Sequence, residues 1–213
     1  MKETNYFNVF KEGGKFYTKS LVPGQNVYGE QVINDYREWV PERSKLGAGI
    51  YKNMRTFPFK KDTITLYLGA SSGTTCSHLS DVCPEGIIFA VEISPRIFYK
   101  FVELAKTRNN LNPILASANT PEKYAFVPLV DAVFQDISQR DQVKIFLKNC
   151  DAFLKKNSYG FLVVKSRSID VTKPPKIIFE QVKKELLSHG YKIIDERGLQ
   201  PYEKDHRMFT IIK

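Results

Sequence analysis

Four polar residues carry most of the chemistry that this sequence suggests: Glu92, Asp136, Lys165 and His206. Glu92 follows Ile87-Ile88-Phe89-Ala90-Val91, Asp136 follows Val130-Asp131-Ala132-Val133-Phe134-Gln135, and Lys165 follows Phe161-Leu162-Val163-Val164. His206 closes the polar stretch Tyr202-Glu203-Lys204-Asp205-His206. All four can be placed around one turn, Leu66-Tyr67-Leu68-Gly69-Ala70-Ser71-Ser72-Gly73-Thr74-Thr75, where an apolar run ends and a helical pattern begins. Gly69 and Gly73 permit close backbone approach, and the helix N-terminus attracts negative charge. An acid roughly 20 residues beyond the first glycine, at a strand end, commonly accepts hydrogen bonds from ribose hydroxyls; Glu92 has that place. A carboxylate at 136 can sit beside a sulfonium or an ammonium. A lysine at 165 suits the end of a buried strand only if it faces a cleft. Together these residues imply a site that binds a nucleoside cofactor and acts on a charged substrate. Strict GxGxxG is absent, which weakens a nicotinamide reading. Taken singly, the glycines are equally ordinary turn residues and Asp136 and Lys165 could be exposed loop residues, while spacing and strand context favour the functional reading of Glu92 over a solvated strand end.

The elements that must position these groups alternate from residue 63 onward. Strand candidates are 63–68, 87–91, 113–116, 130–135, 160–165, 191–196 and 207–212, and most are apolar runs, as expected for strands covered on both faces. A helix of about 73–82 follows the turn. Ser94-Pro95 reads as an N-cap followed by proline at the first helical position, with Ile97, Phe101, Leu104 and Ala105 on one face. A further helix groups Val143, Phe146, Leu147, Cys150 and Leu154, and another runs from Pro174-Pro175 to His189-Gly190, with Gly190 suited to the left-handed residue after a helix. The pattern predicts an α/β sheet of parallel type whose last two strands, joined only by a loop, include an antiparallel one. Residues 1–55 are expected to form a small antiparallel β domain ending irregularly, with a hairpin turning at Gly13-Gly14, and residues 56–213 the main domain. Ligands bind beyond the carboxyl ends of such sheets, where Gly69, Glu92, Ser117, Asp136 and Lys165 all fall.

Bulk properties narrow the class. The 213 residues carry a formal net charge of +9, which raises the odds of a polyanionic partner, although simple solubility would also explain it. No apolar run is long enough to span a bilayer, and Met1-Lys2-Glu3-Thr4-Asn5 does not begin a signal peptide, so a soluble intracellular protein is expected. Three cysteines without CxxC spacing argue against a disulfide framework or zinc ribbon. Cys76, His78 and Cys83 are read as core or helix-face residues rather than metal ligands, and no metal is expected.

The stretches YREWVPERSKLGAGI (36–50), LYLGASSGTTCSHLSD (66–81), AVEISPR (90–96), VDAVFQDISQ (130–139), VVKSRSIDVTKPP (163–175) and LQPYEKDH (199–206) resemble fibrillarin, in its shorter archaeal form without a Gly/Arg-rich extension. The resemblance implies a Rossmann-like S-adenosylmethionine (SAM)-dependent methyltransferase fold, a seven-stranded mostly parallel sheet with its last strands antiparallel. It implies methylation of ribose 2′-hydroxyls of rRNA, and of tRNA, within a box C/D guide ribonucleoprotein. The implied partners are the guide RNA, the target RNA, a Nop-family scaffold protein and a kink-turn-binding protein, and the implied location is the cytoplasm of an archaeal cell. The family's cofactor pattern carries over to Thr74 and Thr75 at the turn, Glu92 and Ile93 at the ribose, Ser117 and Ala118 at the adenine, and Asp136, Ile137, Ser138 and Gln139 near the methionine end. Where the family has Gly-Asp-Ala this chain has Ala116-Ser117-Ala118, and Ser117 cannot make a charge-assisted bond to the adenine amino group, so weaker SAM binding is expected. The family's catalytic set maps onto Lys45, Asp136, Lys165 and His206; Lys45 and His206 rest on the resemblance alone.

In that setting Lys165 either accepts the 2′-hydroxyl proton as a neutral amine, with Asp136 orienting it, or stabilises the developing alkoxide as an ammonium. His206 is expected to orient Lys45 or the ribose. Arg43, Lys165 and Arg167, with Arg96 and Lys173, are candidate contacts to target phosphates. No RRM or KH motif is visible, so the isolated chain is expected to bind RNA weakly. A small-molecule O-methyltransferase would share the cofactor turn, but the net charge and paired lysines oppose it. Intact Asp136 and Lys165 oppose a non-catalytic RNA-binding subunit.

Overall fold

The computed structural model describes all of residues 1–213. Five short strands come first: Lys2–Glu3 (β1), Val9–Glu12 (β2), Lys15–Lys19 (β3), Val32–Ile33 (β4) and Tyr36–Glu38 (β5). They form an antiparallel sheet in the order β1-β2-β3-β5-β4, with the β2–β3 hairpin turning at Gly13-Gly14. A 3₁₀ turn at Pro41–Arg43 leads into Lys45–Tyr51 (α1). The irregular segment expected at the end of this unit is therefore a helix.

Strands and helices then alternate: Ile64–Leu68 (β6), Thr74–Val82 (α2), Ile87–Glu92 (β7), Pro95–Ala105 (α3), Leu111–Leu115 (β8), Val130–Gln135 (β9), Gln142–Phe153 (α4), Leu154–Lys165 (β10), Ser166–Ile169 (α5), Pro175–Ser188 (α6), Lys192–Gly198 (β11) and His206–Ile212 (β12). The large sheet has the order β11-β12-β10-β9-β6-β7-β8. All neighbouring pairs are parallel except those made by β12, which runs antiparallel to β10 and β11. Successive strand residues sort onto opposite faces, as the pleat requires. Tyr67, Phe134, Phe161 and Val163 enter one core, shared with α2, α3 and the N-terminal sheet. Leu66, Leu68, Val133, Leu162 and Val164 enter the other, shared with α4 and α6. Burial on both faces is why these strands read as apolar runs.

The chain leaves β6 towards β7 and β8 on one side, and places β9 and β10 on the other. The switch in strand order thus lies between β6 and β9, where a crevice opens beyond the carboxyl ends. No helix is long and apolar enough to cross a membrane.

Candidate active site

The crevice is a cleft of about 410 Å³ at the ends of β6, β7 and β9. Its lining includes Gly69, Glu92, Ile93, Ala118, Asp136, Ile137, Ser138 and Gln139 from the sequence reading, with Ser71, Val91, Ile97 and Ala116 in addition. Gly69 has φ +88°, and a Cβ there would stand 2.2 Å from the backbone oxygen of Asp136. Only glycine lets the two strand-end loops approach this closely. Glu92 is buried, and its carboxylate accepts the backbone N–H groups of Ser71 and Ser94, each at 2.8 Å. These bonds fix the acid at the cleft edge and leave lone pairs for a diol. Ser94 precedes α3 as expected, but its hydroxyl does not cap the helix. Ile93 and Ile97 expose 56% and 38% of their surface beside the cleft, an apolar ledge that a flat ring would cover.

Four expected cofactor residues do not line the cleft. Gly73, at φ +91°, is the N-cap of α2, and Thr74 opens that helix. The Thr75 hydroxyl lies 3.0 Å from Ser44 Oγ. The Ser117 hydroxyl accepts the N–H of Asn119 at 3.2 Å, within a turn closed by Thr120.

Lys45 reaches the cleft mouth from the N-terminal part of the chain. It follows Ser44, the N-cap of α1, whose Oγ accepts from Gly47 N–H at 3.2 Å and from the Trp39 indole at 2.9 Å. With the Thr75 contact, Ser44 ties α1 to α2. The ammonium of Lys45 lies 3.6 Å from Asp136 Oδ2 and 3.0 Å from Glu203 Oε1. The other oxygen of Glu203 lies 3.8 Å from His206 Nδ1. His206 pairs directly with Lys165 across the β10–β12 ladder, so the two side chains leave the same face. The backbone of Lys165 is clamped by Gln142, whose Oε1 accepts the Lys165 N–H at 3.1 Å. Burial pushes the Asp136 carboxyl up from its ordinary value, and the nearby Lys45 and His206 only partly reverse this. For Lys45, burial pulls the pKa down, but Asp136 and Glu203 outweigh it and leave the ammonium favoured.

Asp136 was expected to orient Lys165; its ion pair is instead with Lys45. His206 reaches Lys45 only through Glu203. Of the expected RNA contacts, Arg43 is exposed and stacks over Tyr28 at 5.8 Å. Arg167 is held by Asp205 at 3.0 Å and by the Val171 carbonyl, and Lys173 pairs with Asp170. Both ring nitrogens of His78 are engaged, by Thr18 and Tyr28 at 2.8 Å each, and Cys76 and Cys83 are buried thiols. Sequence reasoning missed Ser44, Gln142 and Glu203. Glu203 carried a signal, an acid three residues before His206 in a stretch already singled out.

The cleft suits SAM. A glycine floor without room for a side chain, a fixed acid, an apolar ledge and a second acid at the mouth match a nucleoside bearing a cationic tail. The class defined by this fold and site is the SAM-dependent methyltransferases. The fibrillarin family profile matches residues 1–213. A fibrillarin-like rRNA/tRNA 2′-O-methyltransferase of Pyrococcus abyssi is 50% identical over 205 residues, covering 93% of this chain and 90% of the relative. A fibrillarin solved in a fibrillarin/Nop5p complex superposes with a TM-score of 0.94 at 42% identity, over 99% of this chain and 100% of that one. Aeropyrum pernix fibrillarin, solved with natively bound SAM, gives 0.86 at 40% identity, over 93% and 89%. The chain belongs to the fibrillarin family.

Proposed function

We propose that this chain transfers a methyl group from SAM to ribose 2′-hydroxyls of rRNA, and of tRNA, as the catalytic subunit of a box C/D guide ribonucleoprotein. Family membership and the names of the relatives support the reaction. The likeness to a fibrillarin that assembles with Nop5p supports a Nop-family scaffold as partner. The guide RNA, the kink-turn-binding protein and a cytoplasmic setting complete the proposal.

One observation carries it: Lys45, from the N-terminal part, and Asp136, from the end of β9, meet at the cleft mouth, within 3.6 Å. SAM, when bound, would supply an electrophilic methyl carbon, and Glu92 would hold its ribose and the Gly69 and Asp136–Gln139 loops its other end. The remaining work is to align and deprotonate a ribose hydroxyl. Lys45, flanked by two carboxylates, is a fixed positive charge that attracts the RNA and steadies negative charge on oxygen. Lys165 makes no ion pair, and it is the amine assigned to take the 2′-hydroxyl proton. Arg43 and Arg167 extend the basic approach to the phosphates.

The test is tritium transfer from labelled SAM to RNA by the chain alone and by the assembly with scaffold, kink-turn protein and guide. Transfer is expected in the assembly at the guided nucleotide, resistant to alkaline cleavage. Lys165→Arg is expected to abolish it; retained activity would leave Lys165 only the role of a charge.

A further inference from the structure

Glu203 stands on the loop between β11 and β12, its backbone N–H bonded to the Leu199 carbonyl at 3.1 Å. Its carboxylate spans two catalytic candidates, with one oxygen 3.0 Å from Lys45 and the other 3.8 Å from His206 Nδ1. These partners come from distant parts of the chain, α1 and the start of β12. The His206 Nδ1 also lies 2.7 Å from the Lys204 carbonyl. A carbonyl only accepts, so Nδ1 carries the hydrogen and Nε2 is the free acceptor of the neutral ring. His206 is in turn the direct cross-strand partner of Lys165.

The geometry points to Glu203 as a positioning residue that holds Lys45 by a 3.0 Å ion pair and stands beside His206, whose Nδ1–H the Lys204 carbonyl accepts, setting ammonium and imidazole about Asp136 while Lys165 stays free for the ribose. This rests on the methyl-transfer reading above. The titratable groups facing Asp136 are Lys45 from α1, His206 from β12 and Glu203 from the loop; Lys165 stands across from His206 on β10. Glu203 contributes to the raised pKa of Asp136 by like charge and to that of Lys45 by opposite charge. Removing the charge therefore lowers both.

The experiment compares wild type, Glu203→Gln and Glu203→Asp in the full assembly, and follows the Lys45 ε-methylene by NMR titration in the free protein. For Glu203→Gln, kcat is expected to fall about ten- to hundredfold, the scale of a slight misplacement. KM for SAM should stay within about twofold, because Glu203 does not line the cleft. The limb of the pH–rate profile imposed by protonation of Asp136, which lies below the dependence that a proton-accepting Lys165 imposes, should move to lower pH. The Lys45 midpoint should drop, because an opposite charge beside it is lost. Glu203→Asp keeps the charge on a shorter arm, so it should recover part of kcat and return the Asp136 limb towards wild type. Wild-type kcat in Glu203→Gln overturns the assignment. So does a lowered kcat with the limb and the Lys45 midpoint unmoved, which is the mark of a merely structural residue. If Glu203→Gln does not fold, Glu203→Asp decides: wild-type kcat there overturns it as well. A wild-type assembly that moves no tritium into RNA overturns the methyl-transfer reading itself; an active wild type beside an unaffected Glu203→Gln overturns the role of Glu203 alone.

Discussion

Gly69→Ala tests the link between fold and chemistry at a single atom. The added Cβ would stand 2.2 Å from the Asp136 backbone oxygen and 2.8 Å from Ile137 Cγ2. Ordinary contact needs about 1 Å more, and the atom met is backbone, so the loop after β9 must withdraw by about that distance. The hydrogen bond from Asp136 N–H to the Leu68 carbonyl, 2.9 Å in the structure, would then open beyond bonding range. Losing it costs about 1 kcal/mol, and alanine at φ +88° costs about 1–2 kcal/mol more. The sum is about 2–3 kcal/mol, which for a chain of 213 residues lowers Tm by roughly 4–12 °C. Displacing Asp136 by about 1 Å should also lower the transfer rate about 100-fold. Gly190→Ala is the control: Gly190 has φ +92° but open space around it. It should lose only the conformational part of the stability and none of the rate. Thermal melts and single-turnover methyl transfer measure both quantities. Equal stability losses in the two variants, or a Gly69→Ala enzyme at wild-type rate, would refute the close approach as the reason for glycine at 69.

Partial burial makes the ionised Asp136 unfavourable in the folded state and raises its pKa, a penalty that the neutral amide of asparagine would not carry. Asp136→Asn should therefore melt no lower than wild type at pH 7 while transfer falls about 100-fold or more; a lower Tm with full activity would contradict this. Asp81 accepts from Thr18, Leu21, Arg37 and Arg108 in full burial, so Asp81→Asn should lose about 3–5 kcal/mol in urea unfolding. His78 is kept neutral by burial, then by Arg37 and Arg108, which lower its pKa. Its contribution is complete above the unfolded value of about 6.5 and falls by at most about 1.4 kcal/mol per pH unit below it; urea titrations of His78→Gln between pH 7 and 5 should show a slope reduced by about one proton. Ser117→Asp should bind SAM more tightly by calorimetry, since it restores the family's acid; unchanged or weaker binding refutes the assignment of that turn to the adenine.

The large sheet was legible because burial on both faces writes itself as apolar runs, and the strand ends then place Gly69, Glu92, Asp136 and Lys165 on one edge. What escaped has tertiary causes. α1 contains Gly47 and Gly49, poor helix formers, yet a Cβ at 47 would stand 2.8 Å from Trp39 and one at 49 2.5 Å from Met208. Packing rather than propensity makes this helix. The first half of β10, Lys155-Lys156-Asn157-Ser158, is polar, and its pairing with β9 shifts register between Leu154 and Tyr159. Thr75, which the resemblance gives to the cofactor, has its hydroxyl 3.0 Å from Ser44 Oγ, a contact between distant segments that no local pattern announces. Periodicity reports which face a residue takes, and it is silent on which distant segment meets that face. Lys45 and His206 were for that reason reached only through resemblance, and the link between them, Glu203, was not reached.

The N-terminal sheet leads into α1, whose first residue is Lys45, the cation proposed above to act at the cleft mouth. Arg37 on β5 bonds Glu30 and Asp81 with every charged side chain fully buried, and Arg108 completes the set from beyond α3. Trp39 stacks on His78 of α2 at 4.7 Å and donates to Ser44. The sheet, through Arg37, and the N-cap of α1, through Ser44, are thus each bonded to α2, and Lys45 follows directly after that cap. An apolar interface of equal area would hold the sheet as firmly or more so, but it would allow sliding. Directional bonds from Arg37 and Ser44 fix one register, with Arg108 holding Asp81 from the other side, and a shift of about 1 Å there would carry Lys45 away from Asp136. The buried charge earns its place by specifying where the lysine stands, so loss of Asp81 should reduce methyl transfer more than SAM binding even at temperatures where the variant remains folded.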